Sequence, residues 1–572
     1  MAMKRSILFL LLIWRSLCSW GQWSTDLSQN TRVTTNGSTC FGALADDEGG
    51  VLVVWGETTA GGATMYAQRY RADGTILIPK KALFSDSRSA DCTKNAFTAV
   101  QLLRADKSDD IYVVFSLKQD FVFTGLTGTY TEFLQYQILS LSTCNTKIPD
   151  RCNQNKGHNL GYNYGDNSTS ALRFRSRFIQ DNGRVMVVWQ QKNNPSDANR
   201  GGGGTLANGT DIRMAILDVN DLNGPVAYRR DDAIGDQTFP IFYARADFVF
   251  IAYRNNGNRL YVKRFSLTGS AIAPAWTGGI GGARDIGDIP NTETPIVAIQ
   301  TKLTDSGEMV VYSVGDAVNL SAPIRAHRFD MNGNVIGQVN IITPNQFGAV
   351  NAAGAQLSAV TTFFFTKNNR QNIQRYEGTA TRSAETPISQ VASDGDATFS
   401  GTKVSGYAGE QYLVVGKNGG NFSKELYGQF IKFSNDTDQG ERLWGNNGKL
   451  VTSANSDKSF WITFGLSNKN TFFIWKDQRT STGCGGDVYC QVLDEQGNSP
   501  IKPEVKNVRL SKKKFCSTEI DADINRNFTV TFETVPAGSS AGALSVKWNL
   551  LPATGSPSYI MGSGATAGTN SI

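Results

Sequence analysis

The sequence predicts an all-β protein of tandem antiparallel sheets, and three features carry the prediction. A strand of branched and aromatic residues recurs down the chain, first as VLVVW from Val51 to Trp55; such residues suit a buried pleated surface. A strand alternating apolar and polar residues follows it, first as MYAQRY ending at Tyr70, the pattern of a half-buried strand. A tight turn then closes the unit, first at Asp73-Gly74, where glycine accepts the positive φ that such turns need. Gly is 58 of 572 residues and charged residues are 19%. That balance fits a turn-rich β chain and not a disordered one.

Counting the recurrences sets the number of sheets. Core strands end at Trp55, Phe115, Trp189, Tyr253, Tyr312, Gly416, Trp475 and Phe532, and a degenerate copy, TTFFF, ends at Phe365. The following strand recurs as LYVKRF, IRAHRF, LYGQFI and VYCQVL. Its turn recurs as Thr268-Gly269, Asn332-Gly333 and Gln496-Gly497. Another tight turn often precedes the core strand, as at Asp47 to Gly50, Asn182-Gly183 and Ser306-Gly307. Four-stranded units of roughly sixty residues in tandem predict a β-propeller of about seven to nine blades in a single ring. No blade has a core of its own. Burial between neighbouring sheets, at roughly 25 cal/mol per Å2, is then the main stabilising term.

Nine motifs exceed the usual ring of about four to eight blades, and the copy at Phe365 is the candidate for the odd one. TRVTT, from Thr31 to Thr35, is expected as a lone outer strand that completes the last blade. Trp55, Trp189 and Trp475 end runs of branched residues, so packing between blades is expected of them rather than stacking on sugars.

Residues 1–21 read as a signal peptide: Lys4 and Arg5 precede an apolar run from Ile7 to Ile13, and Ser19 and Gly21 are small residues at cleavage positions. Residues 22–554 are expected to form the propeller. Residues 555–572, rich in Gly, Ser, Thr and Ala, are expected as a flexible tail. No second apolar run is long enough to cross a bilayer. The net charge of +6 falls to about +3 without Lys4, Arg5 and Arg15, too weak a balance to argue for nucleic acid. Lys512, Lys513 and Lys514 form the one sharp basic run, read as a solvated loop.

A secretory signal changes the meaning of the cysteines. Beyond Cys18, in the signal, stand Cys40, Cys92, Cys144, Cys152, Cys484, Cys490 and Cys516, disulfide candidates in an oxidising compartment. None has the CxxC spacing of a zinc site. Cys144 with Cys152 is the expected pair, and an odd total leaves one thiol free or bridging to another chain. N-x-S/T sequons at Asn36, Asn167, Asn208, Asn319, Asn421, Asn435 and Asn527 are candidate N-glycosylation sites. Long insertions from Asp120 to Phe133, from Cys144 to Ser170 and from Asn193 to Asp211 are expected on one side of the disc, where loops carry function.

At GGVLVVWGETTAGGATMYAQRYRADG, from Gly49 to Gly74, the chain resembles the VVW…YAQRFDADG-type repeats of large secreted bacterial surface proteins. More loosely, it resembles the FG-GAP blades of integrin α chains. FFIWKDQRTSTGCGGDVYCQVLDEQG, from Phe472 to Gly497, is similar. The resemblance implies an extracellular propeller used for adhesion or assembly, and it brings no catalytic residues.

Little else in the sequence carries chemistry. Asp521, Asp523, Asn525 and Asn527 alternate like a calcium loop, but the Gly and distal Glu of an EF-hand are missing, and a plain hairpin fits equally. No metal or cofactor is expected. His327 falls at a polar strand position and His158 in a loop, so neither suggests a triad or a metal site. A sialidase-like enzyme would need clustered arginines, a nucleophilic Tyr and paired carboxylates at the ring centre. The sequence therefore reads as a secreted, N-glycosylated structural or adhesive module, not an enzyme, that self-assembles into a larger surface structure or filament. Its expected partners are other extracellular proteins, copies of itself or glycans, with no nucleic acid and no membrane span. A glycan-binding or glycan-cleaving propeller is the alternative.

Overall fold

A computed structural model describes residues 23–571 except 35–36, 60–61, 87–95, 106, 121–129, 149–157, 166–172, 180–182, 193–209, 232–235, 256–258, 270, 278–281, 290–292, 296–307, 316–322, 343–350, 354–359, 368–369, 389–398, 405–409, 418–424, 435–438, 480–485, 500–503, 511–528, 536–544, 551–557 and 564–567. The described residues form strands and turns, with no helix. They divide into two compact units, Met1–Ser499 and Pro500–Ile572.

The first unit is an eight-bladed β-propeller. Blades 1 to 8 begin with the inner strands Cys40–Ala45, Ala96–Arg104, Phe174–Phe178, Gln237–Ala244, Glu293–Pro295, Asn351–Ala353, Phe399–Val404 and Lys458–Gly465. Each pairs antiparallel with a second strand: Val51–Thr59, Asp110–Asp120, Val185–Lys192, Phe248–Asn255, Glu308–Gly315, Val360–Lys367, Glu410–Lys417 and Thr471–Asp477. A third and an outer strand follow. Thr31–Arg32 is the outer strand of blade 8, pairing Thr31 with Cys490 and Arg32 with Tyr489. The chain's start thus closes the ring onto its last blade, as expected. Asn30 fastens the closure through Nδ2 to Gln491 Oε1 at 3.1 Å, and it accepts from Thr452 Oγ1 at 2.6 Å.

VLVVW lacks polar alternation because both of its faces are buried. Side chains alternate between the two faces of a strand. Val51, Val53 and Trp55 accordingly join Phe472, Ile474 and Val488 of blade 8, whereas Leu52 and Val54 join Phe97, Val113 and Phe115 of blade 2. The same split gives eight hydrophobic clusters among the described residues, one per blade interface. The core is a ring of interfaces. Trp55, Trp189 and Trp475 are fully buried in it.

Three further tryptophans lock neighbouring blades. Trp23, Trp276 and Trp444 each lie beside an outer strand. Their indole N–H groups donate to Ala72 O at 2.8 Å, Met331 O at 3.2 Å and Glu495 O at 2.9 Å. Each acceptor stands two residues before the turn glycine of the next blade, Gly74, Gly333 or Gly497. Those glycines have φ of 83°, 83° and 76°.

Three expectations are corrected. TTFFF is a genuine second strand, Val360–Lys367, so blade 6 is not the odd unit. The odd copy is FTVTF: it lies in Thr529–Val535 of the second unit, because Thr31–Arg32 already occupies the last position of the ring. The propeller accordingly ends at residue 499 rather than 554. In the second unit Thr529–Val535 pairs with Glu504–Leu510 and Gly568–Ser571, and Ser545–Leu550 pairs with Ser558–Ser563. The expected flexible tail therefore holds two strands. Tyr559, Ile560 and Met561 give the first of them its strand character.

Candidate functional site

The inner strands surround the axis of the ring, and in every blade they start at the same rim. Segments 121–129 and 193–209, joining second to third strands, and 166–172, joining blade 2 to blade 3, connect strand ends at this rim. The stretch from Cys144 to Cys152 joins third to outer strand, at the opposite rim. The strand ends that these segments join are thus divided between the two rims.

Three inner strands break register just inside the starting rim, in blades 2, 4 and 8, and in two of them a phenylalanine takes a positive φ. In blade 4 the register breaks between Thr238 and Ile241, and Phe239 has φ 56°. In blade 8 it breaks between Ser459 and Trp461, and Phe460 has φ 48°. A bulky residue in the left-handed region is a real outlier and costs of order 1–2 kcal/mol. Bulges of this kind re-aim side chains. Phe460 is turned out and is 75% exposed. The Phe239 amide donates to Gln190 Oε1 at 3.0 Å. The guanidinium groups of Arg173 and Arg254 lie 3.9 and 4.5 Å from its ring centre.

Beside Phe239 runs the arginine ladder of blade 3. Residues 173–178 read Arg-Phe-Arg-Ser-Arg-Phe. The period of two puts Phe174 and Phe178 on the blade 2 side, against Tyr112 and Trp189. Arg173, Arg175 and Arg177 take the other side, and Arg175 and Arg177 stand opposite Val188 and Met186, which pack toward blade 4. Successive arginines are about 7 Å apart along the strand. The strand's free edge is capped: Gln101 Oε1 accepts from Ser176 N at 2.9 Å and from Ser176 Oγ at 2.6 Å, and Gln101 Nε2 donates to Phe174 O at 3.4 Å. That cap blocks pairing with an added strand and fixes the ladder in place.

Arg175 is exposed to solvent on the innermost strand of its blade, with protein crowded around it. Burial pulls its pKa below the usual arginine range. Burial first, and then the charge of Arg175, pull Arg177 down to about 10. Both stay cationic at neutral pH. Among the described residues neither guanidinium has a hydrogen bond, an ion pair or a carboxylate that offsets its charge. Neighbouring like charges without a counterion destabilise the folded state, and an anion would relieve them through bidentate N–H···O bonds.

The residues singled out from sequence lie elsewhere. All seven sequons fall outside the described residues, as do Cys92, Cys152, Cys484, Cys516 and the run from Asp521 to Asn527. Cys40, Cys144 and Cys490 are buried, with free thiols among the described residues, and the expected Cys144–Cys152 pair falls on Cys152, outside the described residues. Each sits in an apolar cluster. Burial pushes Cys40 up to about 12 and Cys144 up to about 11, and also raises Cys490, so none is a reactive thiolate. His327 is fully buried against Ser313 Oγ at 2.9 Å. His158 begins the outer strand of blade 2 rather than lying in a loop, with Nε2 2.7 Å from Leu222 O. The ladder was missed, although its alternation was legible: a period-two polar pattern reads as an ordinary solvated strand face.

No family model matches the chain, and no curated protein sequence matches it. Among solved structures it is similar to a prolyl endopeptidase, at 11% identity and TM-score 0.39, over 78% of this chain and 55% of that one. It therefore spans little more than half of that enzyme's length. It is similar to polysaccharide lyase Uly1, at 10% identity and TM-score 0.39, over 82% and 92% of the two chains. It is also similar to Chaetomium thermophilum Sqt1, solved bound to the N-terminus of ribosomal protein L10, at 9% identity and TM-score 0.40, over 80% and 96%.

Proposed function

We propose that the chain is a secreted, N-glycosylated β-propeller that works as an extracellular adhesive or structural module, binding its partner through the channel mouth between blades 3 and 4. The observation that carries this reading is the pair Arg175 and Arg177, held inside the ring without a described counterion. A closed ring locked by Trp23, Trp276 and Trp444 gives the mouth a rigid frame. The signal-like start and the seven sequons support secretion.

Cleavage is the weaker reading. Arginines hold an acidic group but supply neither nucleophile nor general base. The one hydroxyl on the ladder strand itself, Ser176 Oγ, is tied to Gln101 Oε1 at 2.6 Å. The test presents the secreted protein to immobilised extracellular proteins, to itself and to glycans. Binding that disappears in the double variant Arg175→Gln/Arg177→Gln, with no product released from the bound polymer, is the expected result. Unchanged binding in that variant, or turnover of a bound glycan, contradicts the proposal.

A further inference from the structure

We infer that the channel mouth takes an acidic polysaccharide, its oxyanions paired with Arg175 and Arg177 and a sugar face laid against Phe460. The inference rests on the binding role proposed above and names the ligand. Three observations lead to it. First, the charged groups recur every second residue along Phe174–Phe178 and descend from the rim into the channel, so the ligand carries repeated anionic groups on a chain slim enough to enter. Second, Gln101 occupies the free backbone edge of this strand, which removes the main-chain bonds by which an extended peptide would add to it. Recognition is left to side chains. Third, Phe460 of blade 8, across the ring from blades 3 and 4, is 75% exposed at the same rim, where a chain spanning the mouth from the ladder would reach it, in a backbone conformation that its own residue type disfavours. An exposed aromatic face held at strain suits an apolar ring surface such as that of a sugar. A peptide carrying only carboxylates makes no use of it.

The oxyanion is a uronate carboxylate or a sulfate ester, and both pair with a guanidinium through two parallel N–H···O bonds. Phe239, flanked by Arg173 and Arg254 at 3.9 and 4.5 Å, marks the side of the mouth at which the chain would enter.

The test is calorimetric titration of the secreted protein with four probes: a uronate polysaccharide, a sulfated polysaccharide, a neutral polysaccharide and polyglutamate. The protein is enzymatically deglycosylated first, so that its own sugars do not reach the ladder. One of the two acidic polysaccharides is expected to bind at least about tenfold tighter than the neutral one and polyglutamate, with an affinity that falls as salt rises. Which of the two binds assigns the oxyanion. Arg175→Gln/Arg177→Gln should weaken that binding at least about tenfold. Phe460→Ala should weaken it while leaving the melting temperature unlowered, which separates a contact from a folding defect. Equal binding of the neutral polymer or of polyglutamate, or indifference to both variants, overturns the inference and leaves a binding module with another ligand. Failure of all four probes, together with the immobilised proteins tested above, removes the binding role as well.

Discussion

Trp55 Nε1 donates a 2.7 Å hydrogen bond to Glu57 Oε1, two residues along the same strand face. Trp189 does the same to Gln191 Oε1 at 3.2 Å, and Trp475 to Asp477 Oδ2 at 3.1 Å. The motif is one of geometry, not of charge: an acceptor two residues on satisfies an indole N–H that would otherwise be buried without a partner. Glu57 also accepts from Lys80 Nζ at 2.9 Å through both oxygens. Glu57→Gln copies the solution of blade 3 and should cost about 1 kcal/mol or less, since half-exposed Lys80 reaches water. Glu57→Ala leaves the Trp55 N–H unpaired and opens a cavity, and should cost about 2–4 kcal/mol. Denaturant unfolding of the two variants checks the difference.

Glycines at positive φ differ in what surrounds them. At Gly183, with φ 68°, an added Cβ meets nothing within 4 Å. At Gly497, with φ 76°, it would lie 2.4 Å from Lys449 Cγ and 2.9 Å from the Trp444 ring. Gly183→Ala should cost about 1 kcal/mol, for backbone strain alone. Gly497→Ala should cost clearly more, because it also pushes Trp444 off its bond to Glu495. Equal losses in thermal melts would contradict the Trp444 lock.

Burial lowers the His327 pKa to about 4, below its usual value near 6.5. The folded ring therefore keeps this imidazole neutral while the unfolded chain takes up a proton. The contribution is fully present above pH ~6.5 and is lost as pH falls toward 4, to a limit of roughly 3 kcal/mol. Stability measured from pH 7 to pH 4 should decline more steeply in the parent than in His327→Gln.

Binding groups often cost stability, and the ladder should show it. Arg177→Gln removes a repulsion with Arg175 and should raise stability by up to about 1 kcal/mol. Phe460→Gly relieves a left-handed backbone and should gain about 1 kcal/mol. A residue serving only structure would lose stability on either change. Melting curves decide.

The fold was legible because each blade repeats a strand buried on both faces, and a run as apolar as VLVVW must be covered from two sides. The blade count was less legible. FTVTF has the same local pattern as the ring strands, and only the pairing of Thr31–Arg32 with the last blade shows that eight complete the circle. The locks formed by Trp23, Trp276 and Trp444 were invisible, since each is defined by a carbonyl in the next blade. Cysteine parity said nothing of Cys40, Cys144 and Cys490, whose apolar surroundings keep them as small buried side chains. Arg173, Arg175 and Arg177 alternate in plain view, but their meaning comes from standing at the axis, which no single strand's sequence reports.

Hydrogen–deuterium exchange of the protein with and without an acidic polysaccharide tests the channel mouth most directly. Slowed exchange confined to residues 173–178, 237–244 and 458–465 is the predicted footprint. Protection on the outer strands or in the second unit, with these three inner strands unchanged, would contradict it.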